Sequence, residues 1–334
     1  MKVLFIGGTG VISTAVSRLA VDSGIDLYLF NRGNSSEFLP NDAKIITGDI
    51  NDHDKTISVL SEHEFDVVVD WIAFTPNDIQ RDIKMFKDKT KQFIFISSAS
   101  IYQKPLEHYL ITESTPISNP YWEYARNKIA CEKLLENEYA ESGFPYTIVR
   151  PSFTYGVTLI PAVVVNNKMP MTIIDRIRNG KKVIVPGDGT SLWVMTHNTD
   201  FAKGFVGLLG NQKAVGEKFH ITSDEILTWD QIIKTIGGVI NIEPNIVHIP
   251  SDLINHYVPN IGEGLLGDKS TSVVFDNSKI KKYVPDFECT VNYKEGITRS
   301  LKWIESHPKY CGIDHENNAV IDKIISKYES VFDF

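Results

Sequence analysis

Residues Met1 to Ser13 read MKVLFIGGTGVIS, and the architecture follows from them. Val3, Leu4, Phe5 and Ile6 form an unbroken apolar run, the pattern of a strand buried on both faces of a parallel sheet. Gly7, Gly8 and Gly10 come at once after it. Glycines there let the backbone turn tightly and approach a pyrophosphate, whose charge then meets the positive end of the next helix. A glycine fingerprint alone is a weak signal, and an ordinary strand-to-helix turn is the alternative. Its place between a strand and a helix supports the dinucleotide reading.

Outward from this turn, strand and helix patterns alternate. Thr14 to Ser23 reads as a helix ended by Gly24, and Asp26 to Phe30 as a second strand. Lys44 to Ile46 is a short third strand, Asp54 to His63 a helix and Asp66 to Ile72 a fourth strand. Thr75 to Lys87 reads as a helix and Gln92 to Ile96 as the fifth strand. This alternation predicts an α/β fold with a Rossmann-type, doubly wound parallel sheet. The expected dinucleotide-binding domain covers residues 1–155 and is rejoined by about 198–222. Residues 156–197 and 223–334 are expected to form a smaller, discontinuous substrate-binding lobe. Within it, Met171 to Asn179 and Thr228 to Ile236 read as helices, and Lys182 to Val185 and Asn245 to Ile249 as strands. Pro259 to Lys269 reads as a mobile glycine-rich loop at the substrate mouth, and Lys294 to His307 and Ala319 to Phe332 as terminal helices.

Composition narrows the function classes. The chain has 334 residues and a net charge of -8, which gives no electrostatic case for binding a polyanion. Cys131, Cys289 and Cys311 lie far apart with neither pairing nor metal spacing, so no metal site is expected. With a first strand beginning at the N-terminus and no apolar run of about 20 residues, a cytoplasmic protein without membrane association is expected.

The strand ends carry the candidate chemistry. In dinucleotide folds an acidic residue after the second strand holds the ribose hydroxyls. Here Asn31 and Arg32 stand in that place, and an arginine there can pair with a 2′-phosphate. This favours NADP over NAD. Asp49, in Gly48-Asp49-Ile50, is placed to meet an adenine amino group. The fifth strand ends in Ser97-Ser98-Ala99-Ser100-Ile101-Tyr102, and ligands in open α/β sheets bind beyond such ends. Tyr124 and Lys128, four residues apart, share a helix face.

The order of these motifs resembles the extended and atypical short-chain dehydrogenase/reductases of the NAD-dependent epimerase/dehydratase family. GGTGVIS is similar to that family's cofactor turn, with Ser13 where glycine or alanine is usual. GDI, SSASIY, YARNK, TIVRP with Tyr155-Gly156, and GDG at 187–189 followed by His197 and Asp200-Phe201-Ala202 resemble its further segments. The resemblance implies Ser98, Tyr124 and Lys128 as catalytic residues. It implies cofactor contacts at Gly7, Thr9, Gly10, Val11 and Ile12, and at Asn31, Arg32, Asp49 and Ile50. Further contacts are implied at Trp71, Ile72, Ala73, Tyr124, Lys128, Pro151 and Ser152.

The departures concern the substrate. Trp193 stands where nucleotide-sugar members carry a diphosphate arginine, and Phe153 stands where an asparagine often touches substrate. Ser100 is a third candidate substrate contact. Arg176, Arg178, Lys181 and Lys182 are the nearest basic cluster that could replace the arginine, with a solvated helix end as the alternative. Ala99-Ser100 replaces the Asp-Glu pair of dehydratases, which disfavours dehydration. The implied mechanism has Lys128 stabilising a Tyr124 phenolate, Tyr124 moving a proton at a substrate hydroxyl or carbonyl, and Ser98 bonding the same oxygen. The resulting expectation is an NAD(P)-dependent oxidoreductase or epimerase of a sugar or nucleotide sugar. Many relatives are homodimers through the helices at 75–87 and 124–141, and a homodimer is expected by that analogy. The alternatives are reduction of a non-sugar carbonyl compound and a non-catalytic RNA-binding or regulatory role.

Overall fold

The computed structural model describes residues 1–34, 36–60, 62–165 and 168–331. Its frame is a seven-stranded parallel sheet. The strands are β1 (Lys2–Ile6), β2 (Asp26–Asn31), β3 (Lys44–Thr47), β4 (Val67–Asp70), β5 (Gln92–Ile96), β6 (Tyr146–Pro151) and β7 (Lys218–Ile221). Their spatial order is β7-β6-β5-β4-β1-β2-β3, the doubly wound order with a seventh strand added at one edge. Ser61 and Phe332, at or near the ends of two expected helices, lie outside the described residues.

β1 is fully buried because it is covered on both faces. Val3 and Phe5 enter one apolar cluster with Val69, Phe201 and Phe205. Leu4 and Ile6 enter another with Val68, Phe93 and Phe95. Alternation of side chains across a strand sends neighbours to opposite layers. The flanking helices are α1 (Val11–Asp22), α2 (His53–Leu60), α3 (Pro76–Phe86), α4 (Glu123–Ser142) and α6 (Asn198–Leu208), while α5 (Met171–Arg178) packs away from this sheet, in the cluster of Trp193 and Trp229. This third cluster gathers Trp193, Trp229, Ile233, Ile297 and Ile324 with Tyr102, Ile111 and Tyr155.

Several boundaries differ from the sequence reading, two of them for clear local reasons. α1 starts at Val11, three residues early, because the Ser13 hydroxyl accepts from the Gly10 amide at 2.8 Å and caps the turn. β4 stops at Asp70, two residues early. The Asp70 carboxylate draws the Ile72 and Ala73 amides onto itself at 2.6 and 2.8 Å and turns the chain.

Pro259 to Lys269 is not an irregular loop. Pro259–Gly264 is helical and Leu265–Lys269 forms a π turn. Its glycines serve close packing: a Cβ on Gly267 would come within 2.9 Å of Trp122 Cβ. Asn119 Nδ2 also donates to Gly267 O at 2.6 Å. The basic cluster is likewise structural. Arg176 is 1 % exposed and donates to Lys182 O, Asn318 and Asp322. Arg178 pairs with Glu305, Lys181 with Asp322 and Lys182 with Glu329. These cations bind the terminal helices to α5 and its loop. Their partners lie well over 100 residues further along the chain, so local sequence gave no sign of them.

Candidate active site

The carboxyl ends of the strands gather the candidate residues along one edge of the sheet. At the end of β1, Gly7 has φ +97°, a conformation side chains with a Cβ avoid. A Cβ there would also stand 3.2 Å from Ile72 Cγ2 and 3.3 Å from Trp71 Cβ. The turn therefore fits against the β4 loop only as glycine. Thr9 and Ile12 are partly buried, and Gly10 and Val11 are exposed. The N-terminal amides of α1 are the unpaired donors that anions seek.

At the end of β2, Asn31 Oδ1 accepts from the Gly33 amide at 2.8 Å. Its Nδ2 is buried without a hydrogen-bond partner. Arg32 is exposed beside it and forms no ion pair among the described residues. After β3, Asp49 is exposed with its carboxylate on Asn51, and Ile50 is 5 % exposed. After β4, Trp71 packs edge-on against Phe5 and tilted on Phe205. Ile72 is exposed and Ala73 is buried. Pro151 ends β6, and Ser152 follows it half-buried. A shape that admits only glycine at Gly7, open helix amides and an orphaned Asn31 donor fit a dinucleotide.

The three candidate catalytic residues meet at β5 and α4. Ser98 is near enough to the Tyr124 hydroxyl to act on its phenol. Ser98 Oγ also lies 2.9 Å from Ser100 Oγ and accepts from the Ser100 amide at 3.2 Å. Lys128, 2 % exposed, donates from Nζ to Ala73 O and Ile96 O, both at 2.7 Å. The ammonium thus ties the ends of β4 and β5 to α4.

The electrostatics differ from the sequence expectation. Burial pushes the Tyr124 phenol above its ordinary value of about 10, nearby Ser98 opposes this, and Asp268 reinforces it. Lys128 Nζ lies 5.7 Å from the Tyr124 ring centre and spends its donors on two carbonyls. Burial instead pushes the Lys128 ammonium down to about 8, against the pull of Cys131, Asp70 and Asp78.

The candidate substrate residues divide. Ser100 is buried at the site through Ser98. Phe153 is half-buried, with Lys269 Nζ 5.9 Å from its ring centre. Trp193 is 1 % exposed and stacks on Trp229 at 5.3 Å, in the lobe core. Its side chain faces packing, not the cleft. Sequence reasoning missed Lys104, Asn119, Trp122 and Asp268. Lys104 follows two residues after Tyr102, but a lone lysine in a loop carries no motif.

A second network was also missed. Arg81 donates to Asp70 at 2.9 Å and to Asp82 at 2.8 Å, all three being buried. Burial and the neighbouring Asp70 push the Asp82 carboxyl well up. This network anchors the Asp70 turn that presents Ile72 and Ala73.

The fold and the strand-end residues define a Rossmann-type dinucleotide-binding protein. The chain belongs to the NAD dependent epimerase/dehydratase family, whose model matches residues 3–222. A UDP-glucose 4-epimerase from Lactobacillus helveticus is 25% identical over 339 residues, covering 92% of this chain and 98% of that protein. Chloroplast stem-loop binding protein of 41 kDa b from Arabidopsis thaliana is 30% identical over 263 residues, 74% of this chain. The match spans 65% of that protein's length. The crystal structure of a Bifidobacterium longum UDP-glucose 4-epimerase in complex with NAD+ and UDP shares the fold. Its TM-score is 0.74 at 20% identity, covering 93% of this chain and 100% of that one. No helix among the described residues is long and apolar enough to cross a membrane.

Proposed function

We propose that this protein is an NAD(P)-dependent oxidoreductase or epimerase acting at a hydroxyl or carbonyl carbon of a sugar or nucleotide sugar. The observation that carries this reading is the placement of Ser98 near enough to Tyr124 to act on its phenol, beside the buried Lys128 ammonium. Val11 and Ile12 amides, Asn31, Arg32, Asp49, the Trp71–Ala73 loop, Pro151 and Ser152 would hold the dinucleotide, which supplies the hydride chemistry. Tyr124 moves the proton at the substrate oxygen, and Ser98 orients that oxygen. Ser100 braces Ser98 from behind at 2.9 Å. Lys128 holds the strand ends in register and presents positive charge to the nicotinamide side.

Tyr124→Phe tests the reading. General acid-base help of this kind is worth roughly 10²–10⁴-fold in rate. The variant should lose that much turnover while binding NADPH or NADH as before. Undiminished turnover would sink the assignment.

A second reading, reduction of a non-sugar carbonyl compound, draws on the burial of Trp193 and the engagement of Arg176 by the terminal helix. Neither offers a cation to a diphosphate. Stabilisation by UDP-glucose, read as a rise in Tm, would favour the sugar reading. We further place a homodimer contact on α3 and α4, to be tested by light scattering.

A further inference from the structure

Lys104 is an anomaly in the loop after β5. Its side chain is 1 % exposed, and its Nζ makes no hydrogen bond among the described residues. An ammonium has three donors, and burying it with so few partners costs several kcal/mol. Its one ion pair among the described residues is with Asp268, Nζ 3.5 Å from Oδ1, and Lys269 Nζ lies 3.8 Å from Asp268 Oδ2. Burial pushes the Lys104 ammonium down, and the nearby Lys269 pushes the same way.

The surroundings place this cluster at the reacting centre. Asn119 Nδ2 donates to Ser100 O at 2.8 Å and to Gly267 O at 2.6 Å, clamping the Leu265–Lys269 turn onto the serine-bearing strand end. Lys269 Nζ sits 5.2 Å from the Trp122 ring centre and 5.9 Å from that of Phe153. The Trp122 ring lies 4.9 Å from the Tyr124 ring. Asp268 is near enough to Tyr124 to raise its phenol. Two ammoniums and one carboxylate leave a net positive charge between aromatic walls, where the local dielectric is low and charge interactions are strong.

We propose that Lys104 and Lys269, bridged by Asp268, form an anion-binding subsite beside Tyr124, and that the substrate presents a carboxylate or phosphoryl group there. This rests on the reading of Tyr124 as the reacting centre. The incoming oxyanion supplies the acceptors that Lys104 lacks. Asp268 keeps the two ammoniums from repelling each other before the anion arrives. An anion here lies beside the reacting carbon, on lysines contributed by the loop after β5 and by the C-terminal lobe.

The test uses the NADP+- or NAD+-loaded protein, whose oxidised nicotinamide can accept hydride from a sugar hydroxyl, and two matched ligand pairs in calorimetric titrations. UDP-glucose against UDP-glucuronate isolates a carboxylate, and glucose against glucose 6-phosphate isolates a phosphoryl group. At least one anionic member should bind about tenfold tighter than its neutral partner, the scale of a charge-assisted hydrogen bond. Lys269→Gln, at a partly exposed position, should shrink that ratio, and Lys104→Met should remove it. Equal binding within both pairs, or a ratio that survives both substitutions, overturns the subsite. Hydride transfer is read separately from nicotinamide absorbance. An intact ratio with no transfer would remove the oxidoreductase reading while supporting the subsite.

Discussion

The Lys128 ammonium donates to the Ala73 carbonyl at 2.7 Å, and Ala73 is itself held by Asp70 through its amide at 2.8 Å. One line of contacts thus runs from Arg81 through Asp70 and the β4 turn to Lys128. Asp70→Asn would remove one of the two buried carboxylates that Arg81 bonds and leave the guanidinium on Asp82. Losing one charge-assisted bond of this kind costs about 1.5–3 kcal/mol. Urea unfolding should show that loss, and fluorescence titration should show NADPH or NADH binding weakened, because the turn that carries Ile72 and Ala73 loses its charged tie to Arg81. Unchanged dinucleotide affinity in a folded Asp70→Asn protein would disprove the coupling.

α4 is fixed to the sheet by a second buried pair. Arg150 Nη2 lies 2.6 Å from Glu132 Oε2, and Arg150 Nε donates to Glu132 Oε1 at 3.0 Å. Arg150 Nη1 also donates to the Tyr102 hydroxyl at 3.2 Å. Glu132→Ala should destabilise the protein by about 3–5 kcal/mol, since it strands the guanidinium. A Glu132→Leu, Arg150→Met double variant should lose less than either single variant, because no lone charge stays buried. Additive losses in the cycle would show that the two side chains act independently.

Acid should destabilise the fold through His197. This side chain is 2 % exposed, its Nδ1 lies 2.7 Å from Thr199 Oγ1, and its Nε2 has no hydrogen-bond partner. Burial pushes the imidazole down to about 4, whereas an unfolded chain titrates near 6.5. Between those values the unfolded state holds a proton that the folded state lacks. Stability therefore falls as pH drops through this window, by up to about 1.4 kcal/mol per pH unit. His197→Gln should flatten the dependence of the urea midpoint between pH 7 and pH 5, relative to the unsubstituted chain. Parallel slopes would assign the acid sensitivity to other groups.

The sheet and the strand-end residues were legible in the sequence because they depend on local patterns. Apolar runs such as Val3 to Ile6 mark buried strands, and glycine turns such as Gly7 to Gly10 mark a close backbone approach. What stayed hidden depends on long-range partners. Asp268 looks like a surface residue in a glycine-rich loop until Asn119 and Trp122 are seen packed on Gly267. Arg176 looks free until Asp322 is placed beside it. Trp193 takes the register position of a substrate arginine, yet its indole goes into the core on Trp229. Register gives the position, and packing decides the direction of the side chain.

Cofactor choice should turn on Arg32. Its neighbour Asn31 brings no negative charge to the ribose position, and the Asn31 carbonyl oxygen is already engaged by the Gly33 amide. The nearest acidic residue along the same loop, Glu37, is committed to Lys309 and to the Tyr310 hydroxyl. An exposed arginine with no acidic competitor beside it is suited to a 2′-phosphate. Arg32→Ala should therefore weaken NADPH binding roughly tenfold or more, the scale of a charge-assisted contact, and leave NADH binding unchanged. Added salt should narrow the gap between the two cofactors in the unsubstituted protein, because exposed charges are screened. Equal loss for NADPH and NADH would place Arg32 outside phosphate recognition, and the dinucleotide preference would then rest on Asn31 alone.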